Sequence, residues 1–212
     1  MKNSGSPERR KMFFKVIIFI LAGVLAALIG FMLGSGVEKA VFEPPAPAGS
    51  KVADFGSAPD FSLTERSGVS FSREELLGHP WIADFIFTRC AGQCPLMNLK
   101  LKGLQSRLGA ETGFRFVSFT VDPETDTPAV LSEYAERFGA EKDRWFFLTG
   151  PQAEMDRILG GFFLSPLEEP AMHSLRFILV DRQGRIRGYY DSSDGEAMKQ
   201  LLRDAHVIDG TG

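Results

Sequence analysis

Cysteine is the scarcest reactive side chain in this 212-residue chain, which has two, Cys90 and Cys94. Two thiols cannot build a disulfide framework or a four-thiolate zinc site, so they act as one pair. An excess of one charge is lacking too. The chain has 24 basic and 27 acidic residues, a net charge of −3, which gives no reason to expect nucleic acid as a partner. There is no catalytic-triad signature, phosphate loop or metalloprotease motif, which argues against hydrolase and nucleotide chemistry. A hydrophobic content of 44% excludes a disordered acidic tail, and 22 Gly with 12 Pro is far from collagen.

What is present is unevenly distributed. Val16 to Val37 is a run of 22 residues without a charge. As a helix it would span about 33 Å, enough for the hydrocarbon core of a bilayer. Lys2, Arg9, Arg10, Lys11 and Lys15 precede it, against one acid, Glu8. By the positive-inside rule, residues 1–15 stay in the cytoplasm and the rest crosses. The rival is a cleaved signal peptide, with Gly34-Ser35-Gly36 offering small residues for cleavage. The run exceeds the usual signal core of about 7–15 residues, which favours a single-pass anchor in the inner (cytoplasmic) membrane. Either way the domain lies outside the cytoplasm, on the periplasmic side. Residues 38–58, with Pro44, Pro45 and Pro47 among Ala, Gly and Ser, read as a semi-extended linker. Six of the 24 basic but two of the 27 acidic residues fall within 1–40, so the remainder carries −7.

Residues 59–206 read as one folded domain, with 207–212 as a tail. Phe61–Thr64 and Val69–Phe71 alternate around Gly68, as in a small hairpin. Ser72 with Glu74 and Glu75 reads as a short capped helix ended by Gly78. Trp81 to Phe87 is continuously apolar except for Asp84, as in a buried strand. Pro95 suits the first turn of a helix, and Met97, Leu101, Leu104 and Leu108 form its apolar stripe. Strands are expected at Phe114–Val121, Trp145–Leu148, Leu175–Val180 and Ile186–Tyr190. Helices are expected after Pro128, Pro151 and a Ser193-to-Glu196 capping box. Alternating strands and helices argue an α/β sheet covered on both faces. A strand, a cysteine motif, a helix and a late ββα unit suggest a thioredoxin-like fold with an N-terminal β-hairpin extension, preceded by one transmembrane helix.

Cys90 and Cys94 fall where a strand ends and a helix begins. Exposed N–H groups at a helix N-terminus favour thiolate over thiol. Three readings stay open. A structural disulfide is one, but so short a loop gives only about 2 kcal/mol of chain entropy. Thiol–disulfide exchange is the second, with one residue more than the usual Cys-x-x-Cys spacing. A metal site is the third: two thiolates and an imidazole suit Cu(I) and can hold Cu(II). Of three histidines, His79 reads as a surface turn residue and His206 as exposed beyond the last helix. His173 stands just before the strand at Leu175.

Three elements then resemble one family. Phe85-Ile86-Phe87-Thr88-Arg89-Cys90-Ala91-Gly92-Gln93-Cys94-Pro95 looks like the F-x-F-T-x-C-x-x-x-C-P element of the Sco/SenC proteins. Val121 to Pro128 resembles their V-D-P-x-x-D-T-P element. His173-Ser174, then Phe177 to Asp181 and Gly184, is similar to their histidine–strand–D-x-x-G element. The resemblance covers about residues 58–205. It implies a thioredoxin-like fold with copper held by Cys90, Cys94 and His173. It further implies delivery of copper to the binuclear copper centre of cytochrome c oxidase, or reduction of that centre's cysteines, with the oxidase subunit as partner. Gln93 departs from the aliphatic or small residue more usual there. Asp122 and Asp126 read as turn and capping residues, and Met172 as packing. The alternative function is a thiol–disulfide oxidoreductase using Cys90 and Cys94 as a redox-active pair. A peroxidase is a third idea and would need an activating cation such as Arg89.

Overall fold

The computed structural model describes residues 52–162 and 175–210. The expected cytoplasmic start (1–15), anchor (16–37) and most of the linker lie outside the described residues, as do Met172 and His173. Among the described residues, no helix is long and apolar enough to cross a membrane.

Seven strands form one sheet: β1 (Ser62–Glu65), β2 (Ser70–Ser72), β3 (Trp81–Ile86), β4 (Arg115–Thr120), β5 (Trp145–Thr149), β6 (Arg176–Val180) and β7 (Ile186–Asp191). Their order across the sheet is β2-β1-β5-β4-β3-β6-β7. Only β3, β4 and β5 run parallel to one another; the other four pairings are antiparallel. Among the described residues the α-helices are α1 (Gln93–Arg107), α2 (Pro128–Arg137), α3 (Gln152–Gly161) and α4 (Gly195–Asp209).

Both faces are covered, as expected, but unequally. Alternation along β3 sends Trp81, Ala83 and Phe85 to one core and Ile82 and Ile86 to the other. The first core takes α3 and the hairpin, through Met155, Ile158, Leu159, Phe61 and Leu63. The second takes α1, α2 and α4, through Met97, Leu101, Leu131, Tyr134 and Leu201. The whole stripe expected on α1 is buried.

Local chemistry moved several boundaries. The expected helix after Ser72 is a single 3₁₀ turn, Arg73–Leu76; the Ser72 N–H donates to Glu75 Oε1 at 2.8 Å, and the chain leaves through Gly78 at φ +83°. Ser193 does not cap α4. Its hydroxyl donates to Asp191 Oδ1 at 2.6 Å, so the cap passes to Asp194, whose carboxylate accepts from the Glu196 N–H at 2.8 Å. His206 is not beyond the last helix. It sits partly buried in the final turn of α4, which ends at the left-handed Gly210. Residues 52–58, at the end of the expected linker, run beside β7. The Phe55 N–H donates to the Ile186 carbonyl and the Ile186 N–H to the Gly56 carbonyl.

Candidate metal centre

The C-terminal end of β3 delivers the chain to the site. All six residues of β3 are buried, so the strand direction is set by packing on both faces. Phe87 to Gly92 then turn, and α1 begins at Gln93 with Gly92 as its N-cap residue. Cys90 therefore lies in the turn, partly exposed, while Cys94 is in the first turn of the helix and fully buried. Both are free thiols. The N–H of Cys94 points at Cys90 Sγ, 3.5 Å away.

This arrangement separates the two sulfurs chemically. Burial works against ionisation of Cys90, but the N–H groups of Cys94, Gly92 and Gln93 outweigh it. Its pKa falls below the ordinary thiol value. Cys94 goes the other way. Burial pushes its thiol far up, and the nearby Cys90 and Asp84 add to the rise. Cys90 is thus the more acidic and more accessible thiol, and Cys94 the less acidic one behind it.

The V-D-P-x-x-D-T-P element secures this turn. Asp126 is fully buried and accepts from the Thr88 N–H at 3.1 Å, from Thr88 Oγ1 at 2.5 Å and from Thr120 Oγ1 at 2.5 Å. It binds the cysteine loop to the end of β4. Asp122 accepts from Arg89 Nη2 at 2.8 Å and Nε at 3.3 Å. The expected turn forms at Asp122, whose carbonyl accepts from the Thr125 and Asp126 N–H groups, while the cap of α2 falls to Thr127, ahead of Pro128, and not to Asp126. The Arg89 fork is taken by Asp122, and it is backbone N–H groups that favour the Cys90 thiolate.

Beneath the pair lie polar groups that the sequence reading did not place at the site. Asn98 Nδ2 donates to the Cys94 carbonyl at 3.0 Å and to the Tyr134 hydroxyl at 2.8 Å. Asp84 Oδ1 accepts from Ser118 Oγ at 2.6 Å, and Ser118 accepts from Trp145 Nε1 at 2.9 Å. Asp84 Oδ2 and Asn98 Oδ1 are buried with no hydrogen-bond partner. Burial raises Asp84 to about 7, against the lowering bond from Ser118. The signal for Asp84 was present, as the one polar residue in an apolar run. Asn98 had only its place four residues after Cys94.

Two adjacent soft sulfurs, one partly exposed, fit a thiophilic metal ion. Among the described residues, no group of three His, Cys, Asp or Glu gathers around them. His79 is accounted for elsewhere, its Nδ1 lying 3.2 Å from the Gly113 carbonyl oxygen.

The fold and site define a thioredoxin-like domain with a Cys-x-x-x-Cys pair at a helix N-terminus. The SCO1/SenC family model matches residues 50–206. The SCO1 protein homolog of Bacillus subtilis is 33% identical over 151 residues, covering 68% of this chain and 78% of that protein. Among solved structures, BsSco, titled a member of the Sco family of cytochrome c oxidase assembly proteins with a disulfide switch, aligns at a TM-score of 0.68. It is 29% identical, covering 77% of this chain and 100% of that chain. Yeast Sco1 with copper bound aligns at 0.56 and 26% identity, covering 69% of this chain and 87% of that chain. This chain belongs to the SCO1/SenC family.

Proposed function

We propose that this chain is a membrane-anchored copper carrier that delivers copper to the binuclear copper centre of cytochrome c oxidase. Cys90, Cys94 and His173 hold the ion. The observation that carries this is the pair of unlike sulfurs at the start of α1 in a chain of the SCO1/SenC family. The copper-bound yeast relative and BsSco, a member of a family of cytochrome c oxidase assembly proteins, support it. Residues 16–37 anchor the domain on the periplasmic side, and the linker gives it reach.

Binding needs Cys94 to give up its proton, so copper is loaded against the pull of burial and proton release accompanies it. Cys90, the exposed sulfur, is the one an acceptor thiolate can approach. Transfer then proceeds by ligand exchange, with Cys90 released first and Cys94 last. Oxidation to a Cys90–Cys94 disulfide removes both thiolates and stops binding. Anaerobic Cu(I) titration of the reduced full chain against a competing chelator tests this, alongside His173→Ala. One tightly held copper, weakened in the variant, is expected. Equal binding by both proteins removes His173 from the site.

The asymmetry of the two thiols also favours a second reading, a thiol–disulfide oxidoreductase with copper incidental. Cys90 attacks a partner disulfide and Cys94 resolves the mixed disulfide. Turnover that survives His173→Ala but neither cysteine substitution distinguishes it.

A further inference from the structure

A groove of about 590 Å³ opens beside the cysteine loop. Phe87 and Arg89, just before Cys90, form one wall, and the turn after β4 and the side of α3 form the others. Its apolar lining comes from Phe87, Val121 and Leu159, and its charge from side chains above them. Arg89 is matched by Asp122. Glu124 and Asp156 are both exposed, and among the described residues Arg89 is the one cation in the lining. The described lining is therefore net negative, and Arg89 in it is the chain neighbour of Cys90. On the other side of the cysteine loop in the chain, Leu96 and Leu99 stand three apart on α1. They are two of the five large hydrophobics that remain exposed among the described residues. Exposed apolar side chains gathered next to a reactive group mark a contact surface.

We propose that this groove seats an extended segment of the acceptor protein, with its cysteine at Cys90 and lysine or arginine within a few residues of that cysteine. The proposal rests on the function above and names the chemistry of its partner. Opposite charge across such a contact raises the encounter rate and rejects acidic segments. The apolar lining gives the segment's side chains somewhere to pack.

The test uses the reduced full chain in detergent and two peptides carrying an S-pyridyl disulfide, Gly-Lys-Lys-Cys-Gly-Gly and Gly-Glu-Glu-Cys-Gly-Gly. The Cys90 thiolate attacks the peptide sulfur and forms a Cys90–peptide disulfide. The electron pair of the broken S–S bond leaves on the pyridylthiolate, which takes a proton from water. Cys94 then displaces the peptide thiolate, which receives the Cys94 proton, and closes the Cys90–Cys94 disulfide. Each rate is divided by that of the same protein with uncharged 4,4′-dithiodipyridine, so changes in thiolate content cancel. The lysine peptide is expected to react about tenfold faster at low salt. The ratio should approach unity as salt screens the charges. Glu124→Lys with Asp156→Lys should reverse the order. Glu133→Lys with Glu136→Lys, exposed on α2 outside the groove, should keep it. Equal rates, or an order that survives the groove reversal, overturn the proposal, as does an order lost in the α2 control. Copper titration of the same preparations separates the two readings. Copper binding without a peptide order removes the groove alone. A peptide order without copper binding removes the delivery function and leaves the groove.

Discussion

On one face of the sheet, Phe61, Trp81, Phe85, Phe119 and Phe162 meet ring against ring, with centroids 5.2 to 6.5 Å apart. On the other face, under α1 and α2, the core admits Asp84, Asn98, Ser118 and Tyr134 among its apolar side chains. The first face is mostly ring and aliphatic packing, a source of stability, with the buried, unpartnered Tyr189 hydroxyl against it. The second keeps two buried oxygens without partners in the layer that also holds Cys94. Buried unpaired polar atoms cost stability and are rare in native folds. Their position under the thiol pair shows where this fold gives up stability for the sake of a site.

The comparison can be broken at several points. The largest effect belongs to the thiols. At pH 7 iodoacetamide should label Cys90 and leave Cys94, and Cys90→Ser should lower the labelling rate by at least about a hundredfold, because each unit of thiol pKa is a tenfold change in thiolate. Cys94→Ser should still label. Mass spectrometry showing Cys94 modified first would reverse the assignment of the two sulfurs.

On the ring-packed face, Phe85→Ala should cost about 3–5 kcal/mol in urea unfolding, through lost burial and the cavity left behind. Copper stoichiometry of the folded variant should not change. If it does, the two faces are not independent.

Asp84 sharpens the contrast through pH. Its native pKa of about 7 lies above the unfolded value of 3.8. Below the unfolded value both states are protonated, and the carboxyl makes no difference. Between the two values the native state alone holds the proton, so stability falls as pH rises, by up to about 4 kcal/mol. Asp84→Asn, which can still accept from Ser118, should flatten that slope. A wild-type protein with the same stability at pH 5 and pH 8 would refute a neutral buried carboxyl.

The smallest effect expected is from Tyr134→Phe, about 1 kcal/mol, because Asn98 loses one of two acceptors but keeps the Cys94 carbonyl. Chemical denaturation measures it.

Much of this was legible in the chain, and the reason is periodicity. The continuous apolar run from Trp81 to Phe87 and the stripe Met97, Leu101, Leu104 and Leu108 are properties of neighbours in sequence, and both elements formed where expected. The cap of α4 was misplaced because two candidates, Ser193 and Asp194, stand side by side. Asp191 then took the hydroxyl of the first. The loop clamp was not legible. Asp126 and Thr88 are 38 residues apart, Asn98 and Tyr134 are 36, and Asp84 and Ser118 are 34. No local pattern encodes contacts at such separations; parallel pairing of β3 with β4 and the packing of α1 on α2 create them.

The sequence by itself determined the order of strands and helices, through the spacing of its apolar residues. It also set two thiols four positions apart at a strand-to-helix junction, and placed three family elements in order around them. Only the tertiary structure decided that the thiols would differ. Cys90 and Cys94 are the same residue type with the same intrinsic acidity. One became the more acidic because α1 begins at Gln93 and aims its free N–H groups back at the loop. The other is held as a thiol because the first turn of that helix buries it among apolar side chains, where a charge is poorly solvated.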